Sequence, residues 1–450
     1  MSGTTASMKI SFYSYGSLDE SQKEALLERT EGDLSPFIEK VGPIIEAVRK
    51  QGDTALARFA NEFDKSPVTV DAIAATPADF DAAHDAVDSA LIEVMEFCSD
   101  NVRQFHEAQM PESMWMKEMH PGVFAGEKIV PIQSVACYVP RGKGSFPSVV
   151  MMTAIPAVVA GVPEPVIITP PGPDGKIDAA TLVAARIAGV ERVFKCGGAQ
   201  GVAAVAYGTE TVPRCRKIVG PGSPWVVAAK RLLADRLDPG PPAGPSESII
   251  LADETANGRV AALDLLIESE HGPDSSAYLV TNSEAVAQAA MDAIPGYWEK
   301  MSAQRVEFSS TVLCGPRGGI ILTDTIEQAI DFVNAYAPEH LQVHAKEPHD
   351  YLGLIHNAGE ILLGEHTPIC IGNFTLGPNA VLPTNASAHT RSPLGVHDYL
   401  KLMSIGHVTR KGYQKLAPYA RKMALYEGFD AHANAVSQMR TEAFEAGQSD

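Results

Sequence analysis

Cations are scarce in this 450-residue sequence, with 36 lysines and arginines against 55 aspartates and glutamates and a formal net charge of −19. That balance disfavours nucleic acid and anionic membrane surfaces, both of which reward positive charge. No apolar run approaches the roughly 20 residues that span a bilayer. The start of the chain shows no basic stretch leading into an apolar core, so no signal peptide is expected. Six cysteines (Cys98, Cys137, Cys196, Cys215, Cys314, Cys370) form no CxxC pair and no dense framework. They read as reduced structural thiols, which makes the cytoplasm the expected location. A GxGxxG fingerprint is missing too, so nucleotide binding cannot rest on that motif. What is there, 45% hydrophobic and 20% charged residues, is ordinary for a globular chain with two or three cores.

Residues 1 to about 30 are polar and read as a short arm with some helix. Over residues 34–63 the apolar positions Phe37, Val41, Ile44, Ile45 and Val48 recur with helical period, and Gln51-Gly52-Asp53 marks a turn into a second helix. Residues 78–109 read as one long helix with Val87, Leu91, Val94 and Phe97 along its apolar side. Texture changes near Ile129. Short β-rich runs at 135–139, 165–169, 192–196 and 217–219 then alternate with helical stretches, which predicts a parallel sheet in an α/β domain. In such sheets ligands sit at the carboxyl ends of strands, and the loops after Val139, Cys196 and Val219 have the small residues a cleft needs. Tight turns without a ligand account for the same composition. The Pro/Gly-rich stretch 239–245 reads as a joint between domains. Strands at 249–252, 277–280, 320–322 and 361–364 resume the alternation, followed by a Gly-, Pro- and Asn-rich loop over 371–384. From Val396 onward the chain reads as helical and polar, a tail that must dock elsewhere.

The chemistry gathers at Asp264-Leu265-Leu266-Ile267-Glu268-Ser269-Glu270-His271-Gly272-Pro273. Gly272 and Pro273 stop a helix there, and Glu268 and His271, three apart, share its last turn. A carboxylate and an imidazole at that spacing can share one divalent metal, and a capped, solvated helix end has the same look. In Tyr336-Ala337-Pro338-Glu339-His340-Leu341 an acid and an imidazole stand side by side, so each can take a separate role: one handling an alcohol proton, the other orienting a water.

With Gly197-Gly198-Ala199-Gln200, Gly244-Pro245-Ser246-Glu247 and Glu427-Gly428-Phe429-Asp430-Ala431-His432, these motifs make the chain resemble the histidinol dehydrogenase family from about residue 35 to 440. The resemblance implies a zinc-dependent (manganese is the other option), NAD-linked oxidation of a primary alcohol to a carboxylate through a bound aldehyde. It implies an α/β fold of two Rossmann-like parallel-sheet domains, with a helical N-terminal arm, a helical C-terminal tail and a domain-swapped homodimer. Residues 1–30 would be the arm, and 31–137 with 246–394 a first α/β domain holding the metal and catalytic residues. Residues 138–245 would be the NAD-binding domain, and 395–450 the tail docking on the partner subunit. By motif, His340 falls on the general base and Glu339 on the residue that activates water. Glu268, His271, Asn373 and His432 fall on metal positions, His432 reaching across from the partner chain. Tyr138, Gln200 and Ser223 fall on NAD positions, and Ser246 and Glu427 on substrate-contacting ones.

Four residues depart from the family pattern. Glu268 stands where glutamine is usual and Asn373 where aspartate is usual, a pair of changes that conserves the site's charge. Ser223 replaces a common asparagine. Ala380 stands where the family places a histidine beside its substrate, which opens the pocket and points to a different alcohol. His389, Arg391 and His397, just downstream, are the candidates for holding that substrate, and Arg391 is the group able to grip a carboxylate or sulfonate. The expected substrate is therefore a small anionic polyol, such as a dihydroxypropane sulfonate, rather than histidinol. The rivals are a true L-histidinol dehydrogenase with tolerated substitutions, and an inactive protein that binds a nucleotide or metabolite. Retention of Glu339 and His340 argues against the second.

Overall fold

The computed structural model describes residues 8–29, 34–141, 144–241 and 244–446. Parts of the expected arm, of the loop after Val139 and of the 239–245 joint lie outside the described residues. The strands in chain order are β1 (Phe12–Ser14), β2 (Met114–His120), β3 (Val123–Pro131), β4 (Ser134–Tyr138), β5 (Glu164–Thr169), β6 (Val193–Lys195), β7 (Lys217–Val219), β8 (Glu247–Ala252), β9 (Ser276–Thr281), β10 (Gly318–Leu322), β11 (His340–His344), β12 (Glu360–Leu363) and β13 (Leu400–Val408). The chain divides into two compact units: Met1–Gln109 with Ile132–Tyr399, and Met110–Pro131 with Leu400–Asp450.

The first unit holds two parallel sheets, ordered β1-β10-β9-β8-β11-β12 and β6-β5-β4-β7. Alternation along each strand of the larger sheet sends Ile250, Leu279, Ile320 and Leu362 into one core and Ile249, Leu251, Val280, Ile321, Leu341 and Val343 into the other. Helix Gly258–Ser269 packs in the first of these cores, and helix Ile326–Tyr336 in the second. The smaller sheet is covered by the helices Ser35–Gln51 and Asp53–Phe63, whose Val41, Ile45, Val48, Leu56 and Phe59 share a core with Val166, Ile168, Val202 and Ile218.

Several expectations are corrected here. The boundary expected between 137 and 138 cuts β4, and the opening helices belong with the smaller sheet because their apolar stripe is buried against it. The arm contributes β1 to the edge of the larger sheet, paired in parallel with β10, before its helix Glu20–Leu27. The long helix expected over 78–109 is two, Pro77–Ala86 and Ser89–Ala108, parted where Asp88 caps the second. Its buried stripe is Met95, Cys98, Val102 and His106, while Leu91, Val94 and Phe97 are exposed. Asn373 lies in a short helix, Ile369–Phe374, within the stretch read as a loop.

The second unit corrects the reading of a wholly helical tail. Its three-stranded antiparallel sheet runs β13-β3-β2, with β13 pairing β3 over nine positions before the helices Arg410–Tyr426, Asp430–Ala435 and Gln438–Ala446. Every residue of β2 is exposed and most of β13 is, so neither strand carries the one-sided hydrophobic alternation that betrays a half-buried strand. Among the described residues no helix is long and apolar enough to cross a membrane.

Candidate active site

Ala337, after the helix Ile326–Tyr336, takes the left-handed conformation with φ of 51°, and Pro338 follows. This strained turn delivers Glu339 and His340 to the amino end of β11 with both side chains buried. Glu339 Oε2 accepts a 3.0 Å hydrogen bond from the backbone N–H of Glu247 at the start of β8. From helix Gly258–Ser269 comes Glu268, which is 1% exposed. Its Oε1 lies 3.9 Å from His340 Nε2, and Glu339 Oε1 lies at the same 3.9 Å from that nitrogen. On the ring's other side His340 Nδ1 is 2.5 Å from Glu360 Oε1.

Electrostatics follow from that crowding. Burial pushes the Glu339 carboxyl up to about 8, although His340 pulls the other way. Burial alone would lower the His340 pKa. The carboxylates of Glu268, Glu339 and Glu360 outweigh it and raise the ring to about 10. Compensating one of those negative charges would lower the ring's pKa again. Glu247 is a buried hub nearby: Oε1 takes bonds from Arg29 Nε at 3.0 Å and Asn385 N at 2.9 Å, while Oε2 has no partner. Its carboxyl is raised by burial, against the pull of Arg29.

His271 lies just past the end of the helix, with Nδ1 3.2 Å from Glu268 Oε2 and 3.2 Å from the carbonyl of Ile267. Asn373 Nδ2 donates to Glu268 Oε1 at 3.5 Å, and its Oδ1 is buried without a partner. Carboxylate, imidazole and a spare amide oxygen are the right kinds of donor for a divalent cation, so these three residues fit one. Among the described residues no group of three or more His, Cys, Asp or Glu is gathered for a metal. The structure thus brings Glu268, His271 and Asn373 together with Glu339 and His340. His432 and Glu427 are exposed residues of the second unit, His432 with its ring 5.0 Å from that of Phe429.

The residues matched to NAD positions lie at carboxyl ends of the smaller sheet. Tyr138 ends β4, and its hydroxyl accepts from the N–H of Gly198 at 3.1 Å. Gly198 has φ of 56°, and a Cβ there would press on the side chain of Gln200 at 2.7 Å. Gly220 is at φ 107°, where a Cβ would meet the Tyr138 carbonyl oxygen at 2.3 Å. Such backbone approach is what a nucleotide cleft needs, so the cradle fits the cofactor. Ser223 heads the helix Pro224–Leu232 with an exposed side chain and no capping bond. In the larger sheet Glu247 and His340 sit instead at the amino ends of β8 and β11.

The segment 379–399 joins the two sheets. Asn379 Nδ2 donates to the carbonyl of Met152 at 2.6 Å and the Tyr399 hydroxyl to that of Thr153 at 2.7 Å. At its middle Thr384 Oγ1 accepts from Gly244 N and Asn385 N donates to Glu247. Ala380 and the exposed His389 and Arg391 ride on this segment, His389 Nε2 standing 3.3 Å from the carbonyl of Ala335. Ser246 precedes Glu247, its carbonyl accepting from Ser276 N. Sequence reasoning missed Glu360, Glu247 and Arg29. Glu247 stood inside a quoted motif, whereas Glu360 is revealed only by the pairing of β12 with β11.

Fold and site together define an α/β protein with a buried acid–base cluster on one parallel sheet and close-packed glycine loops at the carboxyl ends of another. A family model for histidinol dehydrogenase matches residues 27–440. A histidinol dehydrogenase homolog of Colwellia psychrerythraea is 61% identical over 438 residues, 97% of this chain and 98% of that one. Histidinol dehydrogenase of Synechocystis is 44% identical over 421 residues, 94% of this chain and 97% of that one. The crystal structure of histidinol dehydrogenase from Elizabethkingia anophelis matches with a TM-score of 0.91 at 31% identity, covering 97% of this chain and 99% of that one. The chain belongs to the histidinol dehydrogenase family, oxidoreductases acting on a CH–OH group.

Proposed function

We propose that this protein oxidises a primary alcohol to a carboxylate in two NAD-linked steps through a bound aldehyde. The observation that carries the reading is the convergence of Glu268 and Glu339 on His340 Nε2, each at 3.9 Å. His340 Nε2 takes the alcohol proton, and Glu339 holds the water that adds to the aldehyde for the second oxidation. Glu268, His271 and Asn373 of one subunit and His432 of its partner would hold a divalent ion, zinc or manganese, which would supply Lewis-acid chemistry to the alcohol. NAD, against Tyr138, Gln200 and Ser223, would accept the hydride in each step. Glu427 from the partner and Ser246 would touch the substrate.

The alcohol in this reading is a small anionic polyol such as a dihydroxypropane sulfonate, not histidinol. Ala380 brings no imidazole to the pocket. Arg391 has no side-chain partner among the described residues, on a segment tied to Glu247 through Asn385. The relatives near 61% identity are named homologs, and the one at 44% is named as histidinol dehydrogenase itself. A homodimer with exchanged tails is supported by unburied apolar residues in each unit: Leu91, Val94 and Phe97 in the first, Tyr419, Met423 and Phe429 in the second. The test is a screen for NADH release over primary alcohols, histidinol included. A preference for sulfonated or carboxylated polyols supports the reading, and a preference for histidinol replaces it with the biosynthetic activity. Wild-type metal content without turnover of any alcohol would favour a binding protein.

A further inference from the structure

β11 and β12 run parallel with His340 opposite Glu360, so the two side chains leave the same face of the sheet. Glu360 Oε1 is 2.5 Å from His340 Nδ1, while the carboxylates facing Nε2 stand off at 3.9 Å. The ring is gripped at one nitrogen and open at the other. The second oxygen of Glu360 faces the helix Ile369–Phe374, where a Cβ built on Gly372 would sit 3.2 Å from Oε2. Gly372 precedes Asn373, so one largely buried carboxylate bonds His340 and lies beside the helix that carries Asn373.

We propose that Glu360 is the positioning residue of His340: its carboxylate accepts the Nδ1–H, fixes the plane of the ring and leaves Nε2 directed at Glu268 and Glu339. This rests on the reading of His340 as the base. A neutral imidazole carries its proton on either nitrogen, and only the form with Nδ1–H has a lone pair on Nε2. A carboxylate is purely an acceptor, so at Nδ1 it selects that form. When Nε2 takes the alcohol proton, the O–H bonding pair stays on the alcohol oxygen and the new imidazolium is paired with Glu360. An amide of the same size offers N–H as well as C=O and no longer discriminates between ring orientations. Glu360 therefore acts on the reaction only through His340.

The experiment compares wild type with Glu360→Gln, Glu360→Asp, His340→Ala and the Glu360→Gln/His340→Ala double variant, read by steady-state kinetics and proton NMR. Glu360→Gln should lower kcat by roughly 10²-fold and shift KM for the alcohol by less than about threefold, with Glu360→Asp recovering part of the loss. The double variant should be no slower than His340→Ala, because a residue acting through the ring has nothing left to act on. Independently of turnover, a far-downfield proton signal from the short Nδ1–H bond should be present in wild type and lost in both Glu360→Gln and His340→Ala. If that pattern holds while wild type oxidises no alcohol, the proposed function fails and the positioning role stands. The positioning role is overturned if the signal survives Glu360→Gln, if Glu360→Gln turns over within about twofold of wild type, or if the double variant shows the full product of both losses.

Discussion

In the proposed function His340 is the base, and it is buried at the start of β11 among Glu268, Glu339 and Glu360. His340→Ala should lower kcat by roughly 10²–10⁴ at neutral pH while fold and metal content persist; turnover near that of wild type would remove the base assignment. A second residue gives a test by pH. Burial pushes the Asp64 carboxyl from an ordinary 3.8 up to about 6, with Arg141 working against it, and its Oδ2 is buried without a hydrogen bond. The folded chain therefore binds this proton more tightly than the unfolded chain does. The cost of its charge is absent below the ordinary value and complete once pH has risen past about 6. Because the group is partly exposed the cost is ~1 kcal/mol, smaller than the bare shift implies. Asp64→Asn should then stabilise the chain against urea by about that amount near pH 8 and by little near pH 4. An equal effect at both pH values would mean the gain is not electrostatic. Glu268, His271, Glu339 and His340 were all legible as residues because their partners are near in sequence or their motif is distinctive. Glu360 was not, because twenty positions and a strand register separate it from His340.

Among the elements, the helix Gly258–Ser269 and the short helix Ile369–Phe374 meet where Asn373 Nδ2 touches Glu268 Oε1 at 3.5 Å. The proposed metal site exchanges the usual places of amide and carboxylate across that contact. Glu268→Gln alone should sharply lower metal content, and adding Asn373→Asp should restore much of it. Such rescue is coupling, expected only of residues that share a partner. A double variant that merely sums two losses, measured by metal analysis after dialysis, would mean the two side chains hold no common ion. Elements with one clear apolar stripe were legible, such as Asp53–Phe63 and Ile326–Tyr336. Helix Ser89–Ala108 misled because Leu91, Val94 and Phe97 form a second apolar stripe that stays exposed. β2, β3 and β13 went unread because their apolar residues, among them Met114, Trp115, Leu402 and Met403, are not gathered on a buried face.

Across the whole molecule, the parallel order of both sheets followed from strand and helix alternation, since only crossover connections produce that rhythm. For the smaller sheet the carboxyl ends were legible from the loops after Val139, Cys196 and Val219, but nothing in the sequence placed the acid–base cluster at an end of the larger one. The glycine-bearing loops follow the carboxyl ends of β4, β6 and β7, whereas the acid–base cluster lies at the amino ends of β8 and β11, held there by the Ala337-Pro338 turn and the Glu247 hub. The segment 379–399, reaching from Met152 and Thr153 to Gly244 and Glu247, ties the two parallel sheets together and carries Ala380. The proposed function asks this arrangement to oxidise one substrate twice without releasing it. The most direct measurement is the NADH formed per alcohol consumed, followed by absorbance with NAD in excess on the best alcohol from the screen, together with product analysis. Two NADH per alcohol and a carboxylate product are predicted. One NADH per alcohol with free aldehyde accumulating would contradict the account.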